Sequence, residues 1–559
     1  MPNPLFDALF APLRDRETPW LHLPDGGVIT GAAFNTLCAR VAGALQAQGL
    51  KPGDRLAVQV DKSPQALALY GGAVMAGVVF LPLNTAYTPD EVEYFISDAG
   101  AALLLTDGAQ LAALASVAAR CGTRLMGLDV DSVGSFADAM AQATPLATAA
   151  ERDMGDLAAL LYTSGTTGRS KGAMLTQANL LSNAEVLVRE WRFTSDDVLL
   201  HALPIFHTHG LFVATNTLLL AGGAMIFLPK LDIDALIRHF PQATALMGVP
   251  TFYTRLLADP RFDRELVAHM RLFISGSAPL LAETHTAFEA RTGHKILERY
   301  GMTETNMNTS NPYAGERRAG TVGMPLPGVD LKVTDPDTGA DLPQGAVGMI
   351  EVRGPNVFAG YWQMPEKTAA ELRADGFFIT GDLGKVDEDG YVHIVGRQKD
   401  LIIAGGYNIY PKEVELALDA TEGVLESAVI GVPHPDLGEA VLGVIVPVPG
   451  ASPDAEAILR DLATGMARFK LPRALAVLPE LPRNTMGKVQ KNLLREQFKG
   501  WFRGGGRRGG GAAPRPSGTP RRISGKMTGA PVTDRGACRQ RPPQPLAGPC
   551  CENGAGWLS

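Results

Sequence analysis

Cysteine is scarce: the chain has five in 559 residues, and only Cys38 and Cys121 precede residue 500. They build neither a disulfide framework nor a paired zinc motif, which fits a reducing, cytoplasmic setting. An unbroken apolar run of membrane-spanning length is also missing. Residues 66–83 come nearest, but Gly71, Gly72, Gly77 and Pro82 interrupt them. A buried helix leading into a strand is expected there, and no membrane as partner. The start has no apolar core behind a basic segment, and Asp7, Asp15 and Glu17 are acids that transit peptides avoid. Leu5, Phe6, Leu9, Phe10 and Leu13 instead share one helical face. Positive charge is not in surplus either. The net charge of -7 argues against nucleic acid as the main partner. What the chain does have is apolar mass: 559 residues at 46% apolar content exceed one ordinary core and predict several domains.

Residues 54–106 alternate strand and helix. Strands are expected at 55–60, 78–83 and 103–105, and helices at 64–76 and 89–98, the second opened by Thr88 as N-cap. The rhythm returns later, with strands at 224–228, 245–249 and 272–274 and helices at 233–239, 252–258 and 281–292. Two α/β units with mainly parallel sheets follow. Packed together, they would bring strand C-terminal ends to a shared crevice, where such folds bind ligands. From about Thr321, short strands separated by Gly, Pro and Asp predict a small all-β unit, and near Lys399 an α+β segment begins. Residues 500–559 are rich in Gly, Arg and Pro with almost no acid. That composition predicts a disordered extension, or a basic tail touching anionic partners.

Residues 162–172 hold six hydroxyls, three glycines and two cations, directly after the apolar run 157–161. A phosphate-holding loop is one reading, since glycine backbone, hydroxyls and cations all suit phosphate oxygens. A solvated linker is the other; the preceding strand and the interleaved cations favour the first. Gly165 and Gly168 do not have Walker A spacing. Four further groups join it. Gly276-Ser277-Ala278-Pro279 follows a strand, a turn where a flat ring can lie on exposed backbone. In residues 298–304 an aromatic can stack on a base, Thr303 can bond a phosphoryl oxygen, and Glu304 can hold Mg2+ or be a surface carboxylate. Thr380-Gly381-Asp382 and Gly396-Arg397-Gln398-Lys399-Asp400 could receive a ribose, or be a turn and a solvated charge cluster. Lys488, in residues 482–488, would by itself be a surface lysine.

In this order, the motifs resemble those of the AMP-forming adenylate synthetases, the superfamily of acyl-CoA synthetases, luciferases and peptide-synthetase adenylation domains. The resemblance runs from the N-terminus to Lys499. It implies an α/β protein with a large N-terminal domain of two α/β subdomains plus a β-barrel (1–398). A small mobile α+β C-terminal domain (399–499) and the tail (500–559) would follow. It also implies the chemistry: a carboxylate attacks the α-phosphorus of ATP, pyrophosphate leaves, and a thiol then displaces AMP from the acyl-adenylate. Thr163, Ser164, Gly165, Thr166, Thr167, Gly168 and Lys171 would hold the leaving phosphates, and Glu304 the Mg2+. Gly276, Ser277 and Ala278 would flank the adenine, and Tyr300, followed by Gly301 and Met302, would stack on it. Thr303 would bond the α-phosphate, and Asp382 and Arg397 the ribose. Lys488 would neutralise charge during adenylation. Rotation about Lys399 would then bring Gly405, Gly406 and Tyr407 in for thioester formation. Loss of the Lys488 charge by acetylation would make a lysine acetyltransferase and a deacetylase regulatory partners.

Arg299 lies inside the adenylate motif, where an unpaired cation ill suits a fatty or aryl acid. It suits a second carboxylate, or it points away and pairs with Glu298 or another structural acid. His207, in residues 204–210, could add a donor or gate the pocket, or pack structurally under the sheet. The run Glu298-Arg299-Tyr300-Gly301-Met302-Thr303-Glu304 looks like that of the malonyl-CoA synthetases. This implies a short dicarboxylate as substrate, malonate first and methylmalonate more weakly, since one methyl discriminates by only about 1–3 kcal/mol. Coenzyme A is the expected acceptor, with Arg468 and Lys470 meeting its phosphates or remaining surface charges. A ligase for another small or aryl acid, an enzyme loading a carrier protein, and a nucleotide sensor without turnover are the alternatives.

Overall fold

The computed structural model describes residues 2–163, 170–404, 407–435, 437–484 and 487–502. Ser164, Gly165, Thr166, Thr167, Gly168, Gly405 and Gly406 of the expected site lie outside the described residues, as does the tail from 503. Both α/β units are present. The first is a six-stranded sheet ordered Arg124–Gly127, Leu103–Thr106, Arg55–Gln59, Val79–Pro82, Leu157–Thr163 and Lys171–Thr176. Its strands are parallel except for the last two, which form an antiparallel hairpin. The second is a nine-stranded sheet whose interior runs parallel through Leu297–Met302, Leu272–Ser275, Ala245–Gly248, Val198–His201, Ala224–Phe227 and Pro19–His22. Antiparallel strands close both of its edges.

Helix Pro64–Ala76 shows why the longest apolar stretch is not a span. Its residues are buried from Ala66 onward. A Cβ on Gly71 would lie 2.5 Å from the Cys38 sulfur, and one on Gly72 would lie 2.5 Å from Val41 Cβ. The two glycines therefore let this helix pack tightly against Gly31–Ala47. Gly77, at φ +71°, caps it and turns the chain into Val79–Pro82. No helix among the described residues is long and apolar enough to cross a membrane. Thr88 caps Pro89–Ala99 as expected, through a capping box with Glu91.

The unit expected as a β-barrel is a four-stranded antiparallel sheet in linear order: Asp330–Thr334, Gly348–Arg353, Phe378–Val386 and Val392–Arg397. The outer edge of Val392–Arg397 does not pair with Asp330–Thr334. Val322 and Gly323 hydrogen-bond it instead, at 2.9 and 2.7 Å. The C-terminal segment builds a third core. Gly438–Pro447 pairs with Val424–His434, Ile402–Ala404 and Ala474–Val477, and side chains alternate between its two faces. Val429, Val441 and Ile445 meet Val414 and Leu418 on one face, while Ile430, Leu442 and Val444 meet Leu494 and Phe498 on the other. Trp501 and Phe502, placed in the tail by the sequence reading, belong to this second face. The Trp501 ring packs on Phe498 at 5.4 Å and the Phe502 ring on His434 at 5.6 Å. Ordered chain therefore continues past residue 500, because two large aromatics find apolar cover there.

Candidate active site

A cavity of about 910 Å³ gathers residues from the six-, nine- and four-stranded sheets and from the C-terminal segment. Thr163, Lys171, His207, Ser277, Arg299, Gly301, Met302, Thr303, Glu304, Arg397, Lys399 and Lys488, all expected from sequence, line it. The hairpin at one end is held by helix Pro89–Ala99. The Tyr94 hydroxyl donates to the Ser170 carbonyl at 2.7 Å, and the Tyr162 hydroxyl donates to Asp98.

At this end Lys171 Nζ lies 3.1 Å from Glu371 Oε2 and 4.1 Å from the centre of the Tyr361 ring. The Tyr361 hydroxyl is 2.7 Å from Glu371 and 3.1 Å from Glu304. Glu304 is only 5% exposed, with Thr163 Oγ1 3.5 Å away. Burial raises the Glu304 pKa, and Lys171, Tyr361 and Arg397 work against that rise. Lys367 also reaches Glu371, at 2.6 Å. Sequence reading missed Tyr361, Glu371 and Lys367. Glu371 reaches Lys171 across 200 positions of sequence, and no local pattern announces it.

The middle of the site is a cross-strand pair. Asp382 and Arg397 face each other between Phe378–Val386 and Val392–Arg397. Arg397 Nε is 2.6 Å from Asp382 Oδ1, and the Tyr300 hydroxyl donates to Oδ2 at 2.5 Å. Tyr300 and Asp382 thus stand just behind the cavity wall. Lys488 comes from the C-terminal segment, where Asn484 Oδ1 accepts from its N–H at 2.9 Å. Its side chain is accessible from the cavity, yet the surrounding protein and the Arg397 charge lower its pKa to about 8; Asp382 and Asp400 oppose the shift. Lys399 lies in the turn Gln398–Asp400, between strands Val392–Arg397 and Ile402–Ala404.

The other end is different. Arg299 is 3% exposed, and its Nε and Nη2 have no hydrogen-bond partner. Glu298 does not pair with it. Adjacent strand residues face opposite ways, and Glu298 turns to His285, whose Nδ1 is 3.4 Å from Oε1. Burial lowers the Arg299 pKa to about 9, which leaves it cationic at neutral pH. His207 is lowered to about 4, by burial first and then by Arg299 and Lys488. It is therefore neutral, and its Nδ1 accepts from the His209 N–H at 3.3 Å. His209, which sequence reading passed over, is wholly buried beside Ser277, 3.2 Å from its hydroxyl, at the start of a π-helical turn, His209–Asn216. Gly276 and Ala278 do not line the cavity. Nor do Tyr407, Arg468 and Lys470: Tyr407 stacks on Phe469 at 4.8 Å and Lys470 pairs with Glu413 at 2.6 Å.

The sequence pattern of the AMP-binding enzyme family matches residues 13–362, and that of the AMP-binding enzyme C-terminal domain matches 413–488. The chain belongs to the AMP-binding enzyme family. The crystal structure of ATP-bound MatB from Rhodopseudomonas palustris is 57% identical, with a TM-score of 0.88, covering 90% of this chain and 100% of that one. Malonate–CoA ligase of Arabidopsis thaliana is 35% identical over 485 residues, 81% of this chain and 79% of the relative. A feruloyl-CoA synthase from Amycolatopsis is 36% identical over 478 residues, 85% of this chain and 94% of the relative. The chain is thus an AMP-forming acyl-CoA ligase, with ATP and CoA as co-substrates. Arg299 lines the same cavity as Thr303 and Glu304.

Proposed function

We propose that this ligase joins malonate to CoA, and methylmalonate more slowly, through an acyl-adenylate. The observation that carries this reading is Arg299, a buried cation with no carboxylate partner at the end of the cavity. An acid with a second carboxylate supplies that partner by charge-assisted hydrogen bonds. A monocarboxylate leaves the guanidinium uncompensated, which costs several kcal/mol in a desolvated site. Neutral His207 offers a hydrogen-bond donor beside it without adding charge.

The reacting carboxylate of malonate then faces the α-phosphate of ATP, with Thr303 and Lys488 beside it. Lys488 neutralises the charge that develops as the new C–O–P bond forms and pyrophosphate leaves. Asp382 and Arg397 hold the ribose, Tyr300 the base, and Thr163 and Lys171, with Ser164, Gly165, Thr166, Thr167 and Gly168, the leaving phosphates. Glu304 fits Mg2+: its buried carboxylate beside the Thr163 hydroxyl is a hard oxygen set. Among the described residues no group of three or more His, Cys, Asp or Glu is placed to hold a metal. Held by Glu304 and Thr163, Mg2+ would neutralise phosphate charge.

We assign residues 1–398 and 399–499 to two domains that turn about Lys399 after adenylation. The turn brings Gly405, Gly406 and Tyr407 to the site, with Arg468 and Lys470 toward CoA. A second cavity, about 800 Å³, shares Phe206 and Asn484 with the first and offers a route for a thiol. Acetylation of Lys488 would silence the first half-reaction by removing its charge. The test is CoA-dependent AMP formation with a panel of acids. Malonate should give the highest kcat/KM. A higher value for ferulate, acetate or a fatty acid would overturn the reading, and so would loading of a carrier protein in preference to CoA.

A further inference from the structure

We infer that Gly276 determines acid selectivity jointly with Arg299, because only a residue without a side chain at 276 lets a guanidinium lie along this wall. The inference rests on the dicarboxylate reading above. Gly276 follows strand Leu272–Ser275, and its φ is outside the left-handed region. Alanine is therefore conformationally allowed there, and the backbone does not require glycine.

What requires it is Arg299. A Cβ built on Gly276 falls 2.4 Å from Arg299 Cζ, 2.4 Å from Nη1 and 2.7 Å from Nε. The three nearest atoms all belong to that guanidinium. Gly301 and Gly323 differ, since a Cβ on either would strike main-chain atoms, at 1.7 Å from the Asn306 oxygen and 2.0 Å from Ser310. Substitution at those positions breaks the fold. Substitution at 276 instead displaces a side-chain end that is nearly wholly buried and has two nitrogens unpaired. The guanidinium would lose the place from which it can meet an anion. Position 276 thus decides whether the pocket admits a cation at 299, and through it whether the acid carries a distal anion. Gly276 acts through Arg299 and is a positioning residue.

A double-mutant cycle in the full chain tests this, with Gly276→Ala, Arg299→Met and the pair, on malonate and on butyrate. Gly276→Ala should lower kcat/KM for malonate by at least about 30-fold, as loss of a desolvated charge contact does. The KM for ATP should stay within about threefold, because Gly276 itself does not line the cavity. In the Arg299→Met background, Gly276→Ala should change kcat/KM for butyrate by less than about threefold. Any fall in melting temperature caused by Gly276→Ala should be recovered in the pair, so the cycle can be read from stability even where activity is lost. Full malonate activity in Gly276→Ala overturns the inference. So does a parallel rise in the KM for ATP, or an equal melting loss in both backgrounds. Failure of the malonate reading shows separately, as wild-type preference for butyrate, and the melting cycle still decides the coupling.

Discussion

The two ends of the cavity hold a cation in opposite ways. Lys171, at the end proposed to hold phosphate, is paired with Glu371 and faces the Tyr361 ring. Arg299, at the end proposed to receive the acid, has no carboxylate and two unpartnered nitrogens. A paired cation is compensated with or without ligand, and its carboxylate competes with any incoming phosphate. That gives a grip that can be released, as a leaving group demands. An unpaired buried cation is costly until an anion arrives, so on the proposed reading it disfavours acids that cannot supply one. Charge pairing thus separates holding a common group from choosing a particular one.

Lys488 lies between the ends and tests what they share. Its charge acts on His207 at one end, and Asp382 and Arg397 act on it at the other. Lys488→Ala should slow adenylation by about 100- to 1000-fold, the usual cost of one transition-state donor. Thiolysis of supplied malonyl-adenylate should be spared. Pyrophosphate exchange at the wild-type rate would remove Lys488 from the first step. Arg299→Ala comes next. It should lower kcat/KM for malonate by about 30-fold or more, since losing a desolvated charge partner costs at least about 2 kcal/mol. Adenylation rates with malonate and propionate, side by side, check it. An equal fall for both acids would break the contrast between the ends.

The same cation predicts an alkaline limit. Below pH 8 Lys488 carries its proton, and above it the amine is neutral, because desolvation by the surrounding protein and the Arg397 charge hold its pKa at about 8. The adenylation half-reaction should therefore fall about tenfold per pH unit well above pH 8. The limb should be absent from thiolysis. Arg299 keeps its charge across this range, since a guanidinium does not deprotonate in proteins, so the limb belongs to Lys488. Stopped-flow measurement of each half-reaction across pH 7 to 10 separates the two steps.

Much of this was legible in the sequence because it is local. Apolar rhythm located Pro64–Ala76 and Ile233–His239 to the residue, and Thr88 announced its helix. The adenylate motif placed Arg299, Thr303 and Glu304 on one strand and its turn. What the sequence hid is pairing at a distance. Whether Arg299 met Glu298 or a ligand depended on His285, which claims Glu298 from a neighbouring helix. The sheet after Thr321 stays linear because Val322 and Gly323, not a fifth strand, bond its edge. Glu371 ends a short helix, Pro365–Glu371, and its partner Lys171 lies in another domain layer. Such contacts follow from topology, and residue spacing carries no trace of them.

Glu371 therefore gives the smallest but most direct test of the contrast. Its carboxylate sits 3.1 Å from Lys171 and 2.6 Å from Lys367, and its pKa is lowered, so it is ionised at neutral pH despite the burial that opposes this. On the proposed reading, polyphosphate shares Lys171 with it. Glu371→Gln keeps the shape and removes the competing charge. For a partly exposed pair such a change is worth about 0.2–1 kcal/mol. Pyrophosphate should then inhibit about two- to fivefold more tightly, while kcat/KM for malonate relative to methylmalonate stays constant. The opposite result, weaker pyrophosphate inhibition, would mean that Glu371 positions Lys171 for phosphate rather than competing with it. A changed acid ratio would mean that the two ends are not independent. The inhibition constant for pyrophosphate, measured at two salt concentrations, separates these outcomes, since a surface-accessible ion pair weakens with salt.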